Sequence, residues 1–203
     1  MAEPERLDPK ATALIVFDMQ KSQFNVQDPQ RQKWLKDSNI LANCVELVSV
    51  ARRAGLLVYF VRNNRRADGA DQPRVITDMS LRAGPGGPPA SPDQWDIVDE
   101  LKPQPQDFVV DKIRMGAFSS TMLDTILRAK GIDTFILSGV RTTVGVETTA
   151  RDGRDLGYNV VMASDCTGGI APEEHQWVLE KSFPVFSRVR SLAQIKQMLG
   201  QPA

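Results

Sequence analysis

Much of the usual equipment of side-chain chemistry is scarce in this chain. There is one histidine, His175, and there are only two cysteines, Cys44 and Cys166, in 203 residues. Two cysteines do not make a disulfide scaffold, and a reducing, intracellular setting follows as the default. A lone histidine without a Cys/His/Asp cluster does not build a zinc site, so neither a metal nor a cofactor is expected. Charge of either sign is also missing in net terms, because 25 Lys and Arg balance 25 Asp and Glu. That balance gives no reason to expect nucleic acid as a partner. No stretch approaches the roughly 20 apolar residues of a membrane span. The opening Met1-Ala2-Glu3-Pro4-Glu5-Arg6 carries acidic charge and no apolar run, unlike a secretion signal, so a cytoplasmic location is expected. The most telling absence is a single side chain. Gly145 sits in a strand-to-helix turn, Gly139 to Ala150, where a nucleophile would be at home.

What is present alternates between strand and helix. Ala13-Leu14-Ile15-Val16-Phe17 is a continuous apolar run, as expected of a strand covered on both faces. Ile40, Cys44, Leu47, Val48 and Ala51 recur at helical spacing, with Gly55 as the stop. Further strands are expected at Leu56–Val61, Phe108–Val110, Ile132–Leu137, Tyr158–Met162 and Phe183–Phe186. Between them, Phe118, Met122, Ile126 and Ala129 mark a helix capped by Ser119 or Ser120. Val144–Leu156 is a second such helix, Pro172, Glu173 and Glu174 open a third, and Leu192–Leu199 closes the chain. The pattern is that of one α/β domain over residues 1–203, a doubly wound, six-stranded and mostly parallel sheet with helices on both faces.

In such a sheet, residues at the carboxyl ends of strands share one rim, and that is where ligands bind. Asp18 ends the first strand and Lys112 follows the third. A lysine beside a carboxylate keeps it ionised unless burial opposes this. The turn near Thr143 offers helix N-terminal N–H groups to the same rim. Thr142 and Thr143 read as caps or as ligand contacts, and Arg141 as exposed or substrate-facing. Arg114 either grips a carboxylate or laces the surface. His175, in the first turns of a helix, reads as structural or solvated. Cys166 is placed in a loop after the fifth strand, as a small buried residue or a thiol nucleophile, and Cys44 in the core. Asn63–Gln106 breaks the rhythm with Pro73, Gly84, Pro85, Gly86, Gly87, Pro88, Pro89, Pro92, Pro103 and Pro105. It reads as a surface or subunit contact, or as a wall of the pocket contributing Trp95 and Arg82.

Taken in order, these pieces resemble the isochorismatase-like superfamily, which includes the cysteine hydrolases. The marks are Phe17-Asp18-Met19-Gln20 with Phe24, then Lys112-Ile113-Arg114-Met115-Gly116-Ala117-Phe118. Gly139-Val140-Arg141-Thr142-Thr143 follows, leading into Glu147-Thr148-Thr149-Ala150-Arg151-Asp152, and last come Gly157-Tyr158, Asp165 and His175. The resemblance runs from Ala11 to Gln197. It implies a parallel sheet of order 3-2-1-4-5-6, a cis peptide at Val140–Arg141 and a homodimer or homotetramer.

In the amidohydrolase members a Cys attacks the carbonyl while an Asp serves as base and a Lys orients it. Asp18 and Lys112 match the last two, and Gly145 stands where the Cys would be. Isochorismatases proper carry Gly there and hydrolyse an enol ether by protonation from the Asp, which needs no thiol. They also carry Trp and Tyr after the lysine and a Gln at the end of strand two, all absent here. The expected substrate is therefore a different small enol ether, or another acid-labile C–O or C–N bond, with Asp18 as general acid. Phe24, Arg62, Arg114, Phe118, Arg141 and Thr142 are the expected substrate contacts, with the arginines suiting an anion. Two alternatives stay open: an amidohydrolase whose nucleophile is lost or was mutated to Gly145, and a non-catalytic small-molecule-binding homologue.

Overall fold

Along each strand, successive side chains point to opposite faces of the sheet, and here both faces are apolar. Leu14 and Val16 face one side with Val58, Phe60, Ile136, Val161 and Ala163. Ala13, Ile15 and Phe17 face the other with Tyr59, Val61, Phe135, Leu137 and Met162. A sheet with two apolar faces must be covered twice, and it is. The computed structural model describes residues 5–83, 91–169 and 171–202. In chain order the elements are β1 (Thr12–Phe17), α1 (Lys21–Phe24), α2 (Pro29–Asp37), α3 (Ile40–Arg53), β2 (Leu57–Asn63), α4 (Asp78–Ala83) and β3 (Phe108–Lys112). They continue with α5 (Leu123–Ala129), β4 (Thr134–Val140), α6 (Glu147–Asp155), β5 (Asn159–Gly168), α7 (Pro172–Trp177), β6 (Arg188–Arg190) and α8 (Leu192–Met198). Helices α3 and α8 cover the first face, and α5 and α6 the second.

The sheet has six strands in the order β3-β2-β1-β4-β5-β6, every pair parallel. The order turns back on itself at β1 and β4, so their carboxyl ends open the crevice that such sheets use for ligands. Register fixes what meets there. Phe17 lies opposite Val61 on β2 and Gly139 on β4, and Asn63 lies opposite Lys112. A Cβ at Gly139 would sit 2.0 Å from the Phe17 carbonyl oxygen, so only glycine lets β4 approach β1 at this point.

Several elements depart from the sequence expectations. The second and third strands run on past Val61 and Val110, through Asn63 and Lys112. The helix expected from Phe118 begins at Leu123; Ser119 and Ser120 lie in the preceding turn, and Thr121 Oγ1 accepts from the Leu123 N–H at 3.2 Å. The helix expected from Val144 is preceded by a widened turn over Thr142–Val146, where Val146 N–H reaches back to the Arg141 carbonyl. Cys166 is not in a loop, because β5 continues past a register shift to Gly168. The sixth strand is Arg188–Arg190, not Phe183–Phe186. Pro184 has no N–H for a ladder, and the Phe183–Val185 turn instead drops Phe183 into the core. Of the Asn63–Gln106 excursion, Gly84, Pro85, Gly86, Gly87, Pro88 and Pro89 lie outside the described residues.

Candidate active site

Asp18 is the first residue beyond β1, and its backbone turns sharply there, with φ of +48°. Asp tolerates that left-handed conformation better than most residues. Its N–H donates to the Val61 carbonyl at 2.8 Å, which fixes the turn over the end of β2. The carboxyl group is buried, and its two oxygens have different surroundings. Oδ2 accepts from Lys112 Nζ at 3.0 Å and from Asn63 Nδ2 at 3.1 Å, whereas Oδ1 has no partner. Burial pushes Asp18 up to about 6, against the pull of Lys112, Asn63 and Arg141. The same burial pushes Lys112 below the usual lysine range, opposed by Asp18 and reinforced by Arg65. Lys112 is held from three sides, since it also donates to the Arg114 carbonyl at 3.2 Å and stands 4.6 Å from the centre of the Phe17 ring.

Gln20, fully buried, locks this arrangement. Its Oε1 accepts from Asn63 N–H at 2.8 Å, and its Nε2 donates to the carbonyls of Asn63 at 2.8 Å and Trp95 at 2.6 Å. One amide, two residues after Asp18, thereby ties the end of β2 and the returning excursion to the turn that follows β1. On the other side, Thr149 Oγ1 donates to the Gly145 carbonyl at 2.6 Å and accepts from Ala117 N–H at 3.0 Å, joining α6 to the loop after β3.

These parts enclose a cavity of about 390 Å³. Asp18, Asn63 and Lys112 form its floor, and Val140, Arg141, Val144 and Gly145 its back wall. Arg114 and Met115 flank it, while Arg65, Pro73, Val75 and Thr77 bring the excursion over the top. Four cationic side chains thus surround one carboxylate, and among the described residues none of Arg65, Arg114 and Arg141 is paired with an acid. Arg65 Nε is buried without a partner, as is Asn63 Oδ1. The peptide Val140–Arg141 is cis. Both Val144 and Val146 N–H groups donate to the Arg141 carbonyl, so those two donors of the turn are already engaged.

The structure brings together Asp18, Lys112, Gly145, Arg114 and Arg141, and leaves four expected contacts elsewhere. Arg62 points away, because it alternates with Asn63 along β2; its Nε donates to Asp111 Oδ1 at 2.7 Å. Phe24 packs on the α3 face of the core and lines a separate groove, leaving Gln23 to reach the cavity. Phe118 packs against Phe135 and Tyr158 in the opposite core. Thr142 is buried with its hydroxyl 2.9 Å from His175 Nδ1, and burial lowers the His175 pKa. The apolar cover expected over Asp18 from Phe24 and Phe118 is therefore supplied by other residues. Trp95 gives a carbonyl to Gln20 but does not line the cavity, and neither does Arg82. Cys166 is buried in the α3-side core, its thiol pushed far up by Cys44 and burial.

Asn63, Arg65, Gln20 and Phe17 were missed as site residues. Strand alternation carried past Val61 would have found Asn63, and Gln20 directly follows Asp18-Met19. Nothing in the sequence pattern singles out Arg65.

The model of the isochorismatase domain family matches residues 12–194. An uncharacterized isochorismatase family protein of Bacillus subtilis, YwoC, is 34% identical over 185 residues, covering 91% of this chain and 92% of that one. The ureidoacrylate amidohydrolase RutB of Pseudomonas savastanoi pv. phaseolicola is 32% identical, over 99% of this chain and 90% of its own. Among solved structures, an isochorismatase family protein from Burkholderia thailandensis superposes with a TM-score of 0.85 at 32% identity, covering 98% of this chain and all of that one.

Proposed function

The chain belongs to the isochorismatase family of hydrolases, and from that premise we propose that it hydrolyses a small anionic substrate at an enol ether or similarly acid-labile C–O or C–N bond, with Asp18 as general acid and no covalent intermediate. The observation that carries this reading is the state of Asp18. One oxygen is held by Lys112 and Asn63, the other is free, and the group titrates near 6. A carboxyl whose pKa is raised toward neutrality keeps a protonated fraction there and is an acid able to donate.

For an enol ether the bonds balance as follows. Asp18 Oδ1–H protonates the vinyl carbon, the double-bond electrons form the new C–H bond, and the neighbouring carbon becomes an oxocarbenium ion. The ionised Asp18 offsets that positive charge at close range. Water adds to the carbon and returns a proton to Asp18. The hemiketal then collapses to a carbonyl compound and an alcohol, with one water consumed. Lys112 and Asn63 hold Oδ2 throughout, which leaves Oδ1 as the oxygen free to carry the proton. Arg65, Arg141 and Arg114 supply the charge to hold an anion, and a substrate carboxylate would pair with guanidinium groups that have no acidic partner among the described residues.

A second reading is favoured by the similarity to RutB: amide hydrolysis, with ionised Asp18 as base toward a water molecule. A hydrolysis screen of carboxylated enol ethers and ureido acids with the parent chain and Asp18→Asn tests both. Loss of turnover by at least about 100-fold in the Asn variant, on an enol ether, supports the proposal. Full activity of that variant refutes it. Tight binding without turnover of either class would instead mark a binding protein.

A further inference from the structure

Glycine at position 145 removes a nucleophile, but the space a nucleophile would need is also filled. A Cβ built on Gly145 would lie 2.4 Å from Phe17 Cε1, 2.6 Å from Phe17 Cζ and 2.9 Å from the Met115 carbonyl oxygen. Carbon atoms at rest stay about 3.5–4.0 Å apart, so each contact is a clash. The ring has little freedom to retreat. Phe17 is fully buried, and its backbone is held between β2 and Gly139. Its ring meets the Lys112 ammonium at 4.6 Å. We propose that Phe17 sets the reaction class of this site: its ring takes the volume of any side chain at position 145, and also holds the Lys112 ammonium that grips Asp18. The proposal deepens the thiol-free reading above and rests on it. It makes position 145 dependent on position 17, so that restoring a thiol takes two substitutions and not one.

The test is a double-mutant cycle of Gly145→Cys and Phe17→Val, read by melting temperature and by the alkylation rate of the introduced thiol with iodoacetamide. Cys44 and Cys166 are buried, so the parent gives the background. Gly145→Cys alone is expected to melt lower than the parent and to alkylate slowly. Adding Phe17→Val should lessen the loss of melting temperature relative to the sum of the single effects. It should also speed alkylation by about tenfold, with an apparent thiol pKa below the free-cysteine value of about 8.5, because the thiol then shares the site with Lys112. A purely structural role for Phe17 would not shift that pKa. Equal alkylation rates in the single and double variants would overturn the proposal, as would an unchanged melting temperature in Gly145→Cys. If Gly145→Cys does not fold, Gly145→Ala poses the same steric question: rescue by Phe17→Val supports the proposal and failure to rescue overturns it. Should Phe17→Val itself not fold, Phe17→Leu takes its place in the cycle. None of these readings needs a substrate, so failure here is separate from failure to find hydrolysis.

Discussion

Replacing Asp18 with Asn should abolish chemistry and yet stabilise the protein at neutral pH. Burial raises Asp18 from 3.8 to about 6 in the folded chain, with Lys112 opposing the shift. A carboxyl raised in this way contributes stability that is fully present below the unfolded value and is lost as pH rises through the folded value. The shift is roughly two units at about 1.4 kcal/mol each, so ionising Asp18 costs the folded state about 3 kcal/mol. Asn cannot ionise and avoids that cost. It also leaves Lys112 without a carboxylate, as protonation of Asp18 does in the parent below about pH 4, so the two proteins share that loss. Parent and Asp18→Asn should therefore unfold alike near about pH 4 and separate between about pH 4 and 6. Above about pH 7 the variant should be ahead by about 3 kcal/mol. For a chain of this length that is roughly 6–12 °C in melting temperature. Denaturant and thermal unfolding across this range measure it. A parent more stable than the variant at about pH 8, or a gap that does not change with pH, would refute the reasoning.

The pH dependence of turnover separates the two chemistries: with Asp18 as acid, kcat/KM falls as pH rises through about 6, and with Asp18 as base it rises. A rising limb on an enol ether would count against the acid role. Arg65→Ala and Arg141→Ala should each raise KM for an anionic substrate by roughly tenfold or more while leaving kcat less affected, and should have little effect on a neutral analogue. Equal losses on both substrates would remove the anion-binding role. Val75, Ile76 and Leu81 stand 67%, 79% and 73% exposed around one shared groove, and Val75 also lines the cavity, which suits a contact between subunits. Light scattering should report at least a dimer, and Ile76→Asp should weaken it; the mass of a single chain at every concentration tested would exclude this.

The parts of the fold legible in the sequence are those where local pattern and burial agree. Ala13–Phe17 is apolar at every position because both faces are covered, and Ile40 to Ala51 carries a helical stripe ended by Gly55, whose φ is +80°. What the pattern hid has physical causes. Strand β6 reads Arg-Val-Arg, half-buried at a sheet edge, with both arginines paired to Glu5, so no apolar run announces it. The neighbouring Phe183-Pro184-Val185-Phe186 looks more like a strand and is a turn. In the site, Asp18 and Lys112 were legible from their strand ends. Charge points to Arg62 and alternation along β2 to Asn63, and the two differ only in which face they take. The Phe17–Gly145 contact depends on the crossing of β1 and the turn after β4, and no spacing in the sequence expresses it.

The raised proton affinity of Asp18 and the missing side chain at position 145 act in the same direction. A thiol nucleophile must lose a proton before it attacks, so its partner carboxyl has to be ionised in the resting site, as an unshifted aspartate already is at neutral pH. A site that protonates its substrate needs the opposite, a carboxyl that keeps its proton at working pH. Lys112 alone, 3.0 Å from Asp18, would favour the first arrangement. Burial outweighs it here, and the hydrocarbon that packs this end of the sheet includes the Phe17 ring in the place a polar side chain at position 145 would take. Filling that space excludes both a nucleophile and water. Steric occupancy and proton affinity therefore push this site the same way. Opening the space at Phe17 should lower Asp18 as well as admit a thiol, since water reaching the carboxyl would restore the hydration that burial withholds.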